Sequence, residues 1–370
     1  MIVRESRLGD ETSVIELWVR NGLTPNPSAN DWNWLWLENP AYQQGWPLGW
    51  VLEKDGKILG YLGNVPLRYF IKGKSITVAC ARGYAADPEA RSHSLKLASS
   101  FFSQKQADLL IMTTTNEASA VVYKMCRAVP LPINSYNDSL TWVIKGRDAT
   151  RSLFLKYLAL PRSLATGLAM IIAPALSVWL HIRMHGSKRV PKRWGGQVVS
   201  IPASEIDYRF DQLWERRKME LPNTLLGDRS AETLRWHYGH TAVAYKKTNF
   251  LTAIQHGQLR GYLILTRDDS PEIALKRYRI SDLFVSMDDE DVIDALLKKA
   301  FHIAKEEKVH LIDTVGFPDS VRGRLLATRP LRRVTPVSRF WYYTKDTNLG
   351  THLARPDAWH PTPFDGDSSL

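Results

Sequence analysis

Cysteine is nearly absent: Cys80 and Cys126 are the two in 370 residues. That count excludes a disulfide framework, and neither thiol has zinc-ligand spacing, so both are expected to be free in a reducing compartment. The chain also lacks Gly-x-Ser-x-Gly, His-Glu-x-x-His and any glycine-rich kinase or dinucleotide loop. The nucleophile-elbow, zinc-protease, kinase and Rossmann chemistries are therefore not expected. No apolar leader opens the sequence, since Arg4, Glu5 and Arg7 interrupt it at once. A cytoplasmic setting follows as the expectation. The lone histidines His237, His240 and His310 read as structural. His360, Asp365 and Asp367 near the end are of metal-ligating types, but no metal is expected.

What is present describes ordinary globular cores. Hydrophobic residues make up 44% and charged residues 24%, and a chain of this length predicts two domains. The net charge of +11 is local: ten Lys and Arg against Asp148 between Lys145 and Arg193 supply +9 of it. A nucleic-acid surface would spread cations through a folded domain with aromatics between them, so no nucleic-acid partner is expected. Here the cations bracket Leu164 to Ile182, 19 residues without a charged side chain. That pattern fits a helix lying in the interface of an anionic membrane, on its inner face. A helix buried between domains is the equal alternative. Pro174 in the middle argues against a true span.

The rest of the chain repeats. Val14, Leu17 and Trp18 fall at helical spacing after Asp10 and before Gly22, and Phe210, Leu213 and Trp214 echo them. Trp236 echoes Trp36, and Gly257 to Leu263 echoes Gly56 to Leu62, where Asp55-Gly56 predicts a hairpin turn. Phe301 echoes Phe101. Offsets of 196 to 201 residues argue for a duplicated domain. The aromatic stretch with Trp32, Trp34 and Trp36 reads as packing for a core or a cleft wall.

One stretch organises the first copy. Ser75 to Ala81 reads as a strand. Asp87-Pro88-Glu89-Ala90-Arg91-Ser92-His93-Ser94-Leu95 is a loop opening a helix, with Ala98, Phe101 and Phe102 following at helical spacing. Leu109 to Met112 is a short buried strand. Then Asn116, Ser119 and Tyr123 stand at a spacing of three and seven, two helical turns along one face.

This arrangement resembles the GNAT superfamily, the acyl-CoA N-acyltransferase fold. The resemblance covers about residues 1–145 and 196–345. It implies an α/β protein with mixed sheets, built as two tandem GNAT-like domains. The expected segments are 1–145, an apolar basic connector 146–195, a second domain 196–345 and a surface tail 346–370. It implies an acyltransferase using acetyl-CoA or another acyl-CoA. In the family the loop holds the CoA pyrophosphate at a helix N-terminus, which assigns Arg91, Ser92, His93, Ser94 and Leu95 to the cofactor, with Asn116 and Ser119. Tyr123 is then the acid that protonates the leaving thiolate. Asp87, Glu89, His93 and, on the second copy, Asp282 are the candidates for the base. Lys96 stands where the family has a small residue, and Arg127-Ala128 where it has Gly-Phe. The second copy carries Met287-Asp288-Asp289-Glu290-Asp291 at the loop, and like charges repel phosphate, so CoA is expected in the first copy alone. The acceptor is an amine or hydroxyl on a small molecule or glycan, with an envelope or polysaccharide precursor suggested by analogy. A non-catalytic tandem GNAT-fold binding protein at the membrane surface is the other class consistent with these residues.

Overall fold

A computed structural model describes residues 1–23, 31–157, 164, 166–170, 172, 194–240, 247–367 and 370. In chain order its elements begin β1 (Ile2–Glu5), α1 (Glu11–Arg20), β2 (Gly49–Lys54), β3 (Lys57–Ile71), β4 (Lys74–Ala86), α2 (Ser94–Ser103), β5 (Leu109–Met112), α3 (Glu117–Met125) and β6 (Val129–Pro130). They continue β7 (Asp138–Val143), α4 (Gly146–Tyr157), β8 (Gln197–Ile201), α5 (Tyr208–Glu220), β9 (Leu226–Gly227), α6 (Ala231–Gly239), β10 (Thr248–Gln255), β11 (Gln258–Arg267) and β12 (Arg277–Val285). The last are α7 (Glu290–Glu306), β13 (Leu311–Thr314), α8 (Asp319–Ala327), β14 (Leu331–Val334), β15 (Trp341–Tyr343) and α9 (Thr347–Leu353). The run β1-α1-β2-β3-β4-α2-β5-α3-β6-β7 recurs as β8-α5-β10-β11-β12-α7-β13-α8-β14-β15, with β9 and α6 added. The duplication is therefore one of architecture.

Local chemistry explains the elements. α1 buries Val14, Leu17 and Trp18 along one stripe, and Gly22 at φ +73° follows it. Asp10 precedes α1 without capping it; its carboxylate takes the Arg4 guanidinium at 2.7 and 2.9 Å and the Arg7 amide at 2.8 Å. Asp55 (φ +52°) and Gly56 (φ +75°) turn the β2–β3 hairpin, and His256 (φ +50°) and Gly257 (φ +76°) turn β10–β11. Two consecutive left-handed residues match the right-handed twist of the strands they join.

The chain divides into two compact units: residues 1–137, 214–245 and 335–370 form one, and 138–213 and 246–334 the other. They do not coincide with the contiguous segments 1–145 and 196–345. The first unit's sheet runs β1-β2-β3-β4-β5-β15-β6, with β9 on β3; the second runs β14-β7-β13-β12-β11-β10-β8. The final strand of each copy thus belongs to the other copy's sheet: β7 pairs with β13 and β14, and β15 with β5 and β6. The reason is that pairing is long-range. β7 alternates buried and half-buried residues, a pattern that suits either sheet.

In the first unit Trp32, Trp34, Trp36 and Trp46 are at most 4% exposed. Trp36 and Trp46 both donate their indole N–H to the Asn64 carbonyl, at 2.9 and 2.8 Å. The Asn64 and Gln104 side-chain amides bond reciprocally at 3.1 and 3.2 Å, so these two amides are buried as a pair, whereas the buried Trp32 indole N–H has no partner among the described residues. In the second unit α7 buries Val292, Ile293, Leu296, Leu297, Ala300, Ile303 and Ala304 in a core shared with β10 to β13. Asp289 caps it, accepting from the Asp291 and Val292 amides.

Two expectations change. The tail is buried, not spread over a surface: Trp359, His360, Thr362, Phe364 and Asp365 are at most 6% exposed. Trp359 and Phe364 supply apolar area, while Arg229 stacks on Phe364 and donates to the Thr362 hydroxyl at 2.9 Å. The connector's first part is α4, inside the second unit. Of the apolar run, residues 165, 171 and 173–182 lie outside the described residues. Leu164, Leu168, Met170 and Ile172 are exposed. Among the described residues no helix is long and apolar enough to cross a membrane.

Candidate active site

β4 and β5 are parallel partners at Val78–Leu109, Ala79–Leu110 and Cys80–Ile111. β5 ends at Met112, but β4 continues to Ala86. From Ala81 onward, one edge of β4 therefore has no strand beside it among the described residues; β3 holds the other. A bulge opens this stretch further. Ala85 faces Tyr61 and Arg82 faces Gly63, so Gly83 and Tyr84 together stand against Leu62. Gly83 has φ +62°, and a Cβ there would lie 2.4 Å from the Trp18 ring, so glycine is required. The Trp18 indole N–H fixes the bulge by donating to the Gly83 carbonyl at 2.8 Å. The diverging strands leave a cleft of about 490 Å³, walled by residues 81–86, by Thr113 to Asn116 and by the facing ends of α2 and α3.

The loop at its mouth is anchored by Asp87. This buried carboxylate accepts Arg20 Nε at 2.9 Å and Asn21 Nδ2 at 2.7 Å, which commits both oxygens. Residues Pro88 to His93 form 3-10 turns; the Ala90 amide donates to the Asp87 carbonyl and the Ser94 amide to the Arg91 carbonyl. Backbone donors used this way are not free for an anion. Arg91 and Ser94 line the cleft. The Ser92 hydroxyl sits 3.0 Å from His93 Nδ1, and Ser94 donates its hydroxyl to the Arg91 carbonyl at 2.7 Å. Glu89 is exposed. Leu95 is exposed too, on the outer side of α2, where it borders a second groove of about 480 Å³ with Cys126, Arg127 and Lys345.

Across the cleft, Asn116 caps α3. Its Oδ1 accepts the Ser119 amide at 2.9 Å, and its own amide donates to Ser119 Oγ at 3.0 Å. Both residues line the cleft, and Tyr123 follows two turns on. Tyr123 is 4% exposed, stacked on Tyr84 at 6.1 Å and tilted against Phe102 at 6.1 Å. Burial pushes its phenol well above the ordinary range, and Tyr84 and Asp367 add to the shift. It therefore stays protonated at neutral pH and can donate.

Of the residues expected from sequence, the cleft brings together Arg91, Ser94, Asn116, Ser119 and Tyr123. Ser92, His93 and Leu95 share the same loop and helix start. Asp282 is in the second unit: it is fully buried on β12 and accepts the Tyr262 hydroxyl at 3.0 Å. His360 lies 3.3 Å from Arg217, and burial followed by that cation holds its pKa well below the usual value. Among the described residues no group of three or more His, Cys, Asp or Glu is placed to hold a metal.

Sequence reasoning missed two residues here. Arg82 lines the cleft at 8% exposure; a lone cation following Val78-Ala79-Cys80-Ala81 was the available signal. Asp367 had none. Its carboxylate accepts the Thr113 hydroxyl at 2.7 Å and the Thr114 hydroxyl at 2.9 Å, just where β5 ends. Gly366 at φ +89° allows this approach, since a Cβ there would fall 2.3 Å from Thr113 Oγ1.

No family model matches the sequence, and no curated protein does. Solved structures match over nearly the whole chain. A GCN5-related N-acetyltransferase from Anabaena variabilis superposes with a TM-score of 0.55 at 10% identity, covering 93% of this chain and 73% of that one. The N-myristoyltransferase of Saccharomyces cerevisiae gives 0.55 at 10% identity, over 92% and 79%. Eis1 of Mycobacterium abscessus gives 0.52 at 12% identity, over 95% and 76%. Identity this low carries the fold alone. With its splayed parallel strands, bulged β4 and duplicated element order, this chain has the GNAT-superfamily fold, present twice.

Proposed function

We propose that this protein is an acyl-CoA-dependent acyltransferase that moves an acyl group directly to an amine or hydroxyl. The observation that carries the reading is the divergence of β4 from β5 with Tyr123 beside it. An open strand edge offers amide N–H and carbonyl groups to an extended, amide-bearing ligand such as the arm of CoA. Similar structures include N-acetyltransferases and an N-myristoyltransferase solved with myristoyl-CoA. In the transfer, the acceptor attacks the thioester carbonyl, a base takes the acceptor's proton, and the C–S bond breaks. Tyr123 gives its proton to the departing thiolate. An amide on the open edge of β4 would steady the carbonyl oxygen.

Arg91, Ser92, His93 and Ser94 would hold the phosphates, with Leu95 beside them and Asn116 and Ser119 along the arm. Because the loop's Ala90 and Ser94 amides are committed to 3-10 turns, side chains must do more of this work than in a glycine-rich loop. That same observation favours the second reading, a GNAT-fold protein that binds a ligand without catalysis. The second unit is expected to bind no CoA, since Asp289 caps α7 where phosphate would sit. We also propose attachment to an anionic membrane through the apolar run that starts at Leu164, supported by the exposure of Leu164, Leu168, Met170 and Ile172. An envelope or glycan precursor as acceptor rests on that attachment.

Titration calorimetry with acetyl-CoA and longer acyl-CoAs tests the reading. One equivalent per chain, weakened by Arg91→Ala and by salt, is the expected result. Product formation with an amine panel, followed by mass spectrometry, separates the two readings. Absence of binding to any acyl-CoA would remove both the cofactor and the activity.

A further inference from the structure

Arg82 sits where β4 parts from β5, two residues beyond the last paired position, Cys80. It lines the cleft and is 8% exposed. Its backbone pairs with Gly63 on β3, but its side chain makes no hydrogen bond and no ion pair with any described residue. Other buried arginines of this chain are partnered: Arg217 by Glu220 at 2.8 Å, Arg229 by Asp365 at 3.4 Å and Arg322 by Asp138 at 2.6 Å. The carboxylate whose charge Arg82 influences, Asp367, gives its two oxygens to Thr113 and Thr114 instead.

A largely buried guanidinium without a counter-ion costs some stability, because the hydration it loses is not fully replaced. It cannot escape by losing its proton, since arginine remains charged in proteins. Such a group is retained where a ligand completes it. Its planar fork matches a carboxylate, two parallel N–H donors to two oxygens. The phosphates of a CoA ester are expected at the loop from Arg91 to Ser94, so they do not account for a cation on β4 at the apex of the cleft.

We propose that Arg82 is a specificity residue that binds a carboxylate of the substrate at the reacting end of the cleft. This rests on the acyl-transfer reading for the source of that carboxylate. It comes either from an acyl group with a distal carboxylate, as in a dicarboxylic acyl thioester, or from an acceptor that bears a carboxylate, as an amino acid does.

Calorimetry distinguishes the sources. Succinyl-CoA is compared with butyryl-CoA in one arm. Amino acids are compared with their primary amides in the other, with and without desulfo-CoA. In one arm the carboxylate form should bind the native protein at least about tenfold more tightly. The preference should fall below about twofold in Arg82→Met and Arg82→Gln and survive in part in Arg82→Lys, which keeps charge without the fork. Desulfo-CoA affinity should not change in these variants. The ligand-free Arg82→Met protein should melt no lower than the native one, because a costly charge is gone; this also checks that it folds. No carboxylate preference in either arm, or a preference unchanged in both Arg82→Met and Arg82→Gln, overturns the proposal. An Arg82-dependent preference for free amino acids without any desulfo-CoA binding would uphold it while removing the acyl-transfer reading.

Discussion

Trp34 and Trp236 bond reciprocally: each indole N–H donates to the other residue's backbone carbonyl at 2.9 Å, and the rings stack at 5.6 Å. Trp236 lies in the last turn of α6, where carbonyls lack partners within the helix. Trp34→Phe keeps most of the apolar area but removes one donor. It should cost about 1–3 kcal/mol, the price of a buried carbonyl left alone. Trp34→Phe combined with Trp236→Phe should cost less than the sum, with a coupling of about 0.5–3 kcal/mol. Calorimetric unfolding of the single and double variants checks this; strict additivity would show that the two bonds are independent.

Tyr123→Phe removes the hydroxyl and leaves the stacking on Tyr84 intact. If the phenol is the general acid, turnover should fall by about 10² to 10⁴. Acyl-CoA affinity should stay within about twofold of native, since the lost interaction belongs to the transition state. A thioester with a more acidic thiol needs less help in leaving and should recover part of the rate. A Phe variant that turns over at the native rate would exclude the hydroxyl from the chemistry.

Much of the fold was readable because its signals are local. Val14, Leu17 and Trp18 are a helical stripe in sequence and the buried face of α1. Asp55-Gly56 names its own turn. Leu109 to Met112 is the observed β5, and Asn116 with Ser119, read from sequence as points on one helix face, turns out to be the cap that starts α3. The bounds of β4 were less so: the sequence suggests a stop at Ala81, but the strand continues through the bulge, because Trp18 and Gly83 make a contact 65 residues apart. The exchange of β7 and β15 between sheets leaves no mark in either strand. The tail looked polar and peripheral because the partners of Asp365 and Asp367, Arg229 and Thr113, stand 136 and 254 residues away. Arg82 was visible as a cation beside an apolar strand, but its lack of a partner is a property of the folded cleft.

Asp367 gives a pH signature. Burial raises its pKa above the ordinary 3.8, against the lowering effect of Thr113, Arg82 and Thr114. The folded chain therefore holds this proton more tightly than the unfolded chain does. Above the raised pKa the partly buried charge is a cost. As pH falls through that value toward 3.8, the cost is relieved. Asp367→Asn removes it at every pH. The variant should be the more stable protein at neutral pH, with the difference closing on acidification through that window. Urea unfolding at several pH values, native against variant, reads it directly. A native protein that is the more stable at neutral pH would mean that its threonine bonds outweigh the burial.

The proposed membrane attachment can be tested separately from the proposed chemistry. Leu164, Leu168, Met170 and Ile172 are exposed in the described structure. Burying such side chains in an acyl boundary is favourable by about 1.5–3 kcal/mol each when complete. Arg183, Lys188, Arg189, Lys192 and Arg193 follow in sequence, and cations near an anionic surface add about 1 kcal/mol each. Salt screens the second contribution and spares the first. Co-sedimentation with anionic vesicles should therefore weaken with salt without vanishing, and neutral vesicles should bind less. Replacing the four exposed residues with Ser should release the protein while its circular dichroism and melting stay native, because side chains already in water add little to the fold. Unfolding of that variant, together with native protein that never pellets with anionic vesicles at low salt, would instead place the run in a core and refute attachment.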